Sequence, residues 1–328
     1  MALCLRFRQG ATLAAAAVLA TALPEALAQG NYPNRVVRII VPTSPGGAND
    51  SISRLIAQAL TERLGRQVVV ENRTGAGTII GSEIVARSSP DGHTLLMGLN
   101  TLATNAATYK HIPYDALRDF APITQAVYTP ALLVVHPSLP VKSVKELIAF
   151  AKSRPGKILY ASSGHGTSPH LSLALFCSMA GLRMVHVPYK SSIPSLVDLI
   201  AGHVAVMTSP MLQAIPHVRA GRLRVLGVTS TSRVAAAPDI PTIAESGLPG
   251  YESVQWYGLL APARTPPEII ARLHQEVVAI LRAPDVAERF AADGGGLVAS
   301  SPEEFAAFIK TETVKWAKVA KAAGIVPE

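Results

Sequence analysis

The chain has 328 residues, enough for two domains, with 49% hydrophobic and 16% charged residues and no charge block or low-complexity tract, so long disorder is excluded. Its formal net charge of +8 favours anionic partners. The basic residues are scattered and aromatics are only 5%, which argues against a nucleic-acid surface and leaves small acids as the better fit.

Arg6 and Arg8, the apolar run from Gly10 to Leu23 and the small-x-small end Ala26-Leu27-Ala28 read as a signal peptide over residues 1–28, cleaved after Ala28. That run falls short of the roughly 20 residues needed to span a bilayer. The mature protein is therefore expected in the periplasm. Cys4 leaves with the leader, and Cys177 falls in an apolar helix where an inert thiol is expected.

Val36–Val41 is a short β-branched run suited to a buried parallel strand. Pro42, Pro45, Gly46 and Gly47 form a turn, and Asp50 opens a helix carrying Ile52, Leu55, Ile56, Ala59 and Leu60 at helical spacing up to Leu64. Such a turn is an anion seat by construction: the first helical N–H groups lack internal partners, the helix dipole is positive there, and glycines admit a ligand to the backbone. A strand over 67–72, a helix over Ile79–Ala86 and a strand over 94–97 continue the α/β alternation. The polar exit of that last strand, Gly98 to Thr101, belongs where an open α/β sheet lines its ligand crevice.

A second unit repeats the design. Strands are read over 131–135, 159–161, 184–187 and 204–207, with helices over 144–153, Ser168–Ala180 and 191–201. The loop Ser162-Ser163-Gly164-His165-Gly166-Thr167 before the second of these helices is the counterpart of the first glycine turn, and two such loops face to face would clamp an anion. The strand ending at Ser209 also points toward the crevice. The remainder from about Ser232 holds a strand over 256–261 and two helices, Pro267–Leu281 and 302–323. A chain that leaves one unit, builds another and returns predicts two lobes on two hinge strands: residues 29–128 with 232–328 as lobe one, and 129–231 as lobe two. That geometry suits closure on a ligand.

The ordered set Tyr32-Pro33, Val41-Pro42, Pro45-Gly46-Gly47 with Asp50, Val69-Val70-Glu71-Asn72, Gly75-Ala76-Gly77, Pro90-Asp91-Gly92, Tyr160 to Gly164, His186-Val187-Pro188-Tyr189-Lys190 and Leu248-Pro249-Gly250-Tyr251 resembles the Bug family. These are extracytoplasmic solute receptors of tripartite tricarboxylate transporters, and the resemblance covers essentially the whole mature chain. It implies an α/β, two-lobed periplasmic binding protein fold (type II), each lobe a mainly parallel sheet flanked by helices. It also implies an organic carboxylate held by backbone amides and hydroxyls, with membrane subunits of such a transporter or a sensor kinase as partners, and a monomer.

Carried onto this chain, the ligand-binding residues it implies are Thr43, Ser44, Gly46, Gly47, Asp50, Asn100, Ser162, Ser163, Gly164, Gly166, Thr167, His170, Pro188 and Tyr189, to which the strand reading adds Ser209. Hydroxyl and N–H donors hold a small acid without a counter-charge. The chain departs from the family at His165 and Ser191, and over Ala205 to Ser209 it lacks the aspartates often found there. A substrate ammonium would therefore lack a strong partner, which favours a di- or tricarboxylate or an aromatic acid over an amino acid.

Other chemistry is weaker. Gly75-Ala76-Gly77 to Gly81 imitates a dinucleotide loop, but its last spacing is too wide and no acidic residue ends the following strand, so it is read as a structural turn with no cofactor. The alternative function is an exported serine hydrolase acting on a small ester, drawn from Ser162 or Ser163 with His165, His170 and His186. It lacks the G-x-S-x-G elbow, and a non-enzymatic receptor is the expected function. His165 and His170 are five apart and no H-E-x-x-H occurs, so no metal site is expected. Lys190 and Asp50 are each read as structural before ligand-binding, Asp50 as a first-turn brace.

Overall fold

The computed structural model describes residues 32–292 and 294–327, so the expected leader and Cys4 lie outside the described residues. In chain order the elements are β1 (Val37–Val41), α1 (Ala48–Leu64), β2 (Val68–Asn72), α2 (Ile79–Ala86), β3 (Thr94–Leu99), α3 (Thr101–Thr108), β4 (Phe120–Val135), α4 (Val144–Lys152), β5 (Leu159–Ser162) and α5 (Ser168–Ala180). They continue with β6 (Val185–Pro188), α6 (Ser192–Ala201), β7 (Val206–Pro210), α7 (Met211–Arg219), β8 (Arg224–Val228), β9 (Val254–Pro262), α8 (Pro267–Leu281), α9 (Pro284–Ala292), β10 (Gly296–Leu297) and α10 (Pro302–Ala322).

The strands run in the order β2-β1-β3-β9-β4-β7-β5-β6 through a single curled sheet, with β10 and β8 added along β4. The strand β4 makes two lobes of it. Its residues from Phe120 to Pro130 pair with β9, while Ala131 to Val135 pair with β7 and β8. Pro130 stands at the handover; having no N–H, proline suits a position where one ladder stops and another begins. The chain comes back beside it, with Ser253 N–H donating to Thr229 O at 2.9 Å and Val254 paired to Pro130. On one side β2, β1 and β3 are parallel, with β9 antiparallel to β3; on the other β6, β5 and β7 are parallel.

The side-chain period of two explains why β1 and β3 read as continuously apolar. Val37, Ile39, Val41, Leu95 and Met97 pack with Ile56, Leu60, Leu273 and Val277 of α1 and α8 on one face. Ile40 and Leu96 face the other, into a core with Trp256, Phe305 and Trp316. Both faces are covered, as a parallel sheet requires. That second core continues into the other lobe through Leu171, Phe176 and Tyr251, so α10 packs on α3 and on α5 and ties the lobes together.

The structure adds elements that the periodicity did not reveal. The first half of β4 carries Pro122 and two register shifts, which blur its alternation. The helix α3 is built from Thr, Asn and Ala, weak in helix propensity except for alanine, and α7 contains Pro216, normally a breaker. Cys177 is a free, half-buried thiol whose pKa burial pushes up to about 12, as an inert thiol requires. The Gly75-Ala76-Gly77 stretch leads into a short 3₁₀ turn, Ala76–Thr78, with Gly75 at its N-cap, and Asn105 Nδ2 donates to Gly77 O at 3.1 Å.

Candidate functional site

A cleft of about 720 Å³ opens where β4 passes from one lobe to the other. Its floor is Thr129, Pro130 and Ala131, joined by Gln255 and Tyr257 of the returning strand β9. One wall is the start of α1, with Gly46, Ala48, Ser51, Ile52 and Leu55. The opposite wall comes from lobe two: Ser163, Thr167 and Ser172, then Ser192, and then Thr208, Met211 and Leu212.

Four helices begin at this cleft: α1, α5, α6 and α7, through Ala48, Ser168, Ser192 and Met211. At none of the four does the N-cap residue, Gly47, Thr167, Ser191 or Pro210, bond a first-turn N–H with its side chain. The Thr167 hydroxyl turns instead to Gly164 O at 2.7 Å. Of the helices that start elsewhere, α4 and α10 are capped by Ser143 and Ser301, while α2, α3 and α8 lack a side-chain cap as well, so it is the meeting of four starts in one space that sets the cleft apart. First-turn backbone without a side-chain cap and the positive ends of four helix dipoles therefore meet in one space. Among the described residues that line the cleft, none is Asp, Glu, Lys, Arg or His. Hydroxyls and two glutamine amides supply its remaining polarity. Ile52, Leu55, Met211, Leu212, Tyr257 and Phe290 make the rest apolar.

The predicted ligand residues divide among several places. Gly46, Ser163 and Thr167 line the cleft, and Gly47 caps α1 beside it. Asp50 is buried and faces its own loop, accepting from Gly46 N at 3.0 Å, Arg54 Nε at 2.9 Å and Asn72 Nδ2 at 2.9 Å. The Arg54 guanidinium, with help from Gly46 and Asn72, holds its carboxyl down at about 2. Ser44 is exposed, and Thr43 gives its carbonyl to Asn72. Asn100 precedes α3 and donates to Val254 O at 3.1 Å. Thr43 Oγ1, Asn49 Oδ1 and Asn100 Oδ1 are buried without a hydrogen-bond partner among the described residues.

Ser162 lies beneath the lobe-two loop, fully buried, with Oγ 2.6 Å from His186 Nε2 and bonded to both the N–H and the carbonyl of Gly164. A serine–histidine pair thus exists. Its hydroxyl is sealed from the cleft, and among the described residues no carboxylate bonds His186. Gly164, Pro188 and Tyr189 line a separate shallow hollow with the exposed Lys190. Gly166 and His170 line a third space with His165 and His186, and Thr167 borders both that space and the cleft. Ser209 is buried; Thr208, its neighbour on β7, faces the cleft instead. The alternation of the strand explains the one-residue offset.

Sequence reasoning missed Thr129, Ser172, Ser253, Gln255 and Tyr257, all at the cleft. The only local signal was a polar Thr-Pro step inside an apolar run, and the remaining residues are assembled by the sheet order.

Residues 52–325 match the family described as Tripartite tricarboxylate transporter family receptor. Protein BugT of Bordetella pertussis is 38% identical over 295 residues, covering 89% of this chain and 90% of that one. Among solved structures, R. palustris Rpa4515 with adipate is 37% identical with a TM-score of 0.76, covering 90% of this chain and 100% of that chain. MatC from Rhodopseudomonas palustris with bound malate is 30% identical with a TM-score of 0.72, covering 88% and 100%.

Proposed function

This chain belongs to the tripartite tricarboxylate transporter receptor family, and from that premise we propose that it is a periplasmic receptor which captures a small organic carboxylate between its lobes. It then delivers that acid to transporter membrane subunits or a sensor kinase, acting as a monomer and without catalysis. The observation that carries the reading is the convergence of four uncapped helix N-termini on a cleft without side-chain charge. Each such terminus favours an anion by about 0.3–1 kcal/mol when exposed and up to ~2 kcal/mol when partly buried. No metal or guanidinium is required. The adipate and malate in the two solved relatives support the same ligand class.

In this reading the lobes are residues 29–128 with 232–328, and 129–231, supported by the handover of β4 at Pro130. Gly46, Gly47, Ser163 and Thr167 meet the carboxylate. Asp50 fixes the α1 loop, while Ser162, Gly164, Gly166 and His170 fix the opposing one. Thr43 and Asn100 keep buried acceptors beside the ends of β1 and β3, where a ligand hydroxyl or a bridging water satisfies them. The apolar side formed by Leu55, Leu212 and Phe290 takes the body of the acid.

The test is calorimetry and thermal shift over mono-, di- and tricarboxylates and aromatic acids, each beside its neutral amide. A receptor raises its melting temperature with at least one acid, ignores the amide, and returns the ligand chemically unchanged. Turnover of an ester or acid, or equal response to acid and amide, would overturn the reading.

A further inference from the structure

Outside the cleft, the space bounded by Gly166 and the chain's last described residues holds three imidazoles in one cluster. His165, His170 and His186 each present a ring nitrogen, and these atoms lie within 4.8 Å of one another. They come from three different pieces of chain. His165 projects from the loop between Gly164 and Gly166, whose φ angles of 134° and 67° are glycine conformations. His170 sits in the first turn of α5, and His186 is on β6. His165 stands edge-on to both others, at 5.6 and 5.0 Å between ring centres, while His170 and His186 stack at 3.7 Å.

We propose that His165, His170 and His186 form a binding site for a borderline divalent transition-metal ion of the Zn²⁺, Ni²⁺ or Cu²⁺ class. Neutral imidazole is the common ligand of such ions, and three histidines with an open fourth position make a sufficient donor set. Tetrahedral coordination at ~2.0–2.1 Å puts ligand nitrogens about 3.3 Å apart, so the widest of the separations, 4.8 Å at most, must shorten by up to ~1.5 Å.

The surroundings suit that role. His170 is buried and His186 half-buried, while His165 stands at the surface. Ser162 Oγ lies 2.6 Å from His186 Nε2 and holds that edge of the ring, so Nδ1 is the nitrogen His186 offers an ion in the tautomer that carries its proton on Nε2. His165 is exposed, on the loop between Gly164 and Gly166. His170 is the ligand that must change partner: its Nδ1 accepts from Gly166 N–H at 3.0 Å, and the ion takes the place of that N–H. Entry thus gives up one loop hydrogen bond and opens the stacked pair, which lowers the affinity below that of a preformed site. A space of about 730 Å³, bordered by Tyr109 and Lys110, leaves the fourth position accessible to water or a small anion.

The experiment uses the mature chain without a histidine tag, titrated with ZnCl₂ by calorimetry and with CuCl₂ by electron paramagnetic resonance. One ion per chain and nitrogen hyperfine splitting are expected. His165→Ala, which removes an exposed ring, and His186→Ala are each expected to weaken binding at least tenfold, whereas His203→Ala, on an exposed remote imidazole, leaves it unchanged. Circular dichroism shows whether each variant is folded. No saturable one-to-one uptake, or equal uptake by the parent and the folded His165→Ala variant, overturns the proposal. Because the readout is metal uptake alone, its failure leaves the carboxylate reading standing, and the reverse also holds.

Discussion

Replacing Gly47 by aspartate puts a carboxylate at the N-cap of α1 without disturbing the backbone. Gly47 has φ −80° and ψ 171°, ordinary for any residue, and a Cβ there meets only Ser44 O at 3.7 Å. Aspartate is among the preferred caps and exceeds glycine by a few tenths of a kcal/mol, so the unliganded protein keeps its melting temperature or gains slightly. Binding suffers twice. The new side chain takes first-turn N–H groups intended for the ligand, about 1 kcal/mol, and its charge repels a carboxylate ~5 Å away by about 3 kcal/mol at an effective dielectric constant near 20. The sum, about 4 kcal/mol, is close to a thousandfold in Kd. Gly47→Asn separates the parts, since it caps without charge and loses only about fivefold. Calorimetry with the best acid from the ligand screen reads both variants. An unchanged Kd for Gly47→Asp would refute the anion seat at α1, whatever the rest of the cleft does.

Other consequences are smaller in scale. With no acidic side chain among the described residues that line the cleft, an ammonium desolvated there lacks a partner, so succinate and glutarate should bind more tightly than aspartate and glutamate; preference for the amino acid in both pairs sinks the idea. Leu212 is 74% exposed yet borders the cleft, so Leu212→Ala should weaken acids with an apolar body by about 1 kcal/mol, with the unliganded melting temperature unmoved. His170 has its pKa pushed down to about 4, mainly by burial and further by His165, against ~6.5 unfolded. The unfolded chain therefore binds the extra proton between those values. Stability from this group is full above pH 6.5 and falls by roughly 2–3 kcal/mol as pH drops to 4, a slope that urea melts should find flattened in His170→Gln. Solution scattering should give a smaller radius of gyration at saturating ligand, and an identical curve argues against closure.

How much of this was legible varies with the range of the interaction. The Pro45-Gly46-Gly47 turn, the helix of Leu171 and Phe176, and the strand of Ile39 and Ile40 are local patterns, and each forms where its sequence says. The cleft floor was not legible. Thr129 and Gln255 are far apart in sequence and meet only because β4 and β9 pair, information held in sheet order and not in any segment. Ser209 shows the limit of strand reading, because successive side chains alternate between faces and the cleft side falls to Thr208. The histidines show the same limit more sharply: the five-residue spacing of His165 and His170 fits no metal motif, and His186 joins them only through the parallel pairing of β5 with β6.

A positive exterior and an uncharged binding cleft serve different steps of one task. The scattered basic residues leave the chain at +7 once Arg6, Arg8 and Glu25 go with the expected leader (+8 less a net +1), and that charge draws anions toward it, an effect on encounter rate that salt weakens. Inside, a buried lysine or arginine would bind a carboxylate more strongly but would first have to be desolvated, and would be left uncompensated whenever the cleft empties. Backbone N–H groups at four helix ends avoid that difficulty. They are fixed by the fold, they remain hydrated when no ligand is present, and their partial charges are shared among α1 on one lobe and α5, α6 and α7 on the other. A ligand held this way is bound fully only while the lobes are together. Separation of α1 from the other three removes one group of donors without breaking an ion pair, so opening the cleft weakens its hold on an anion.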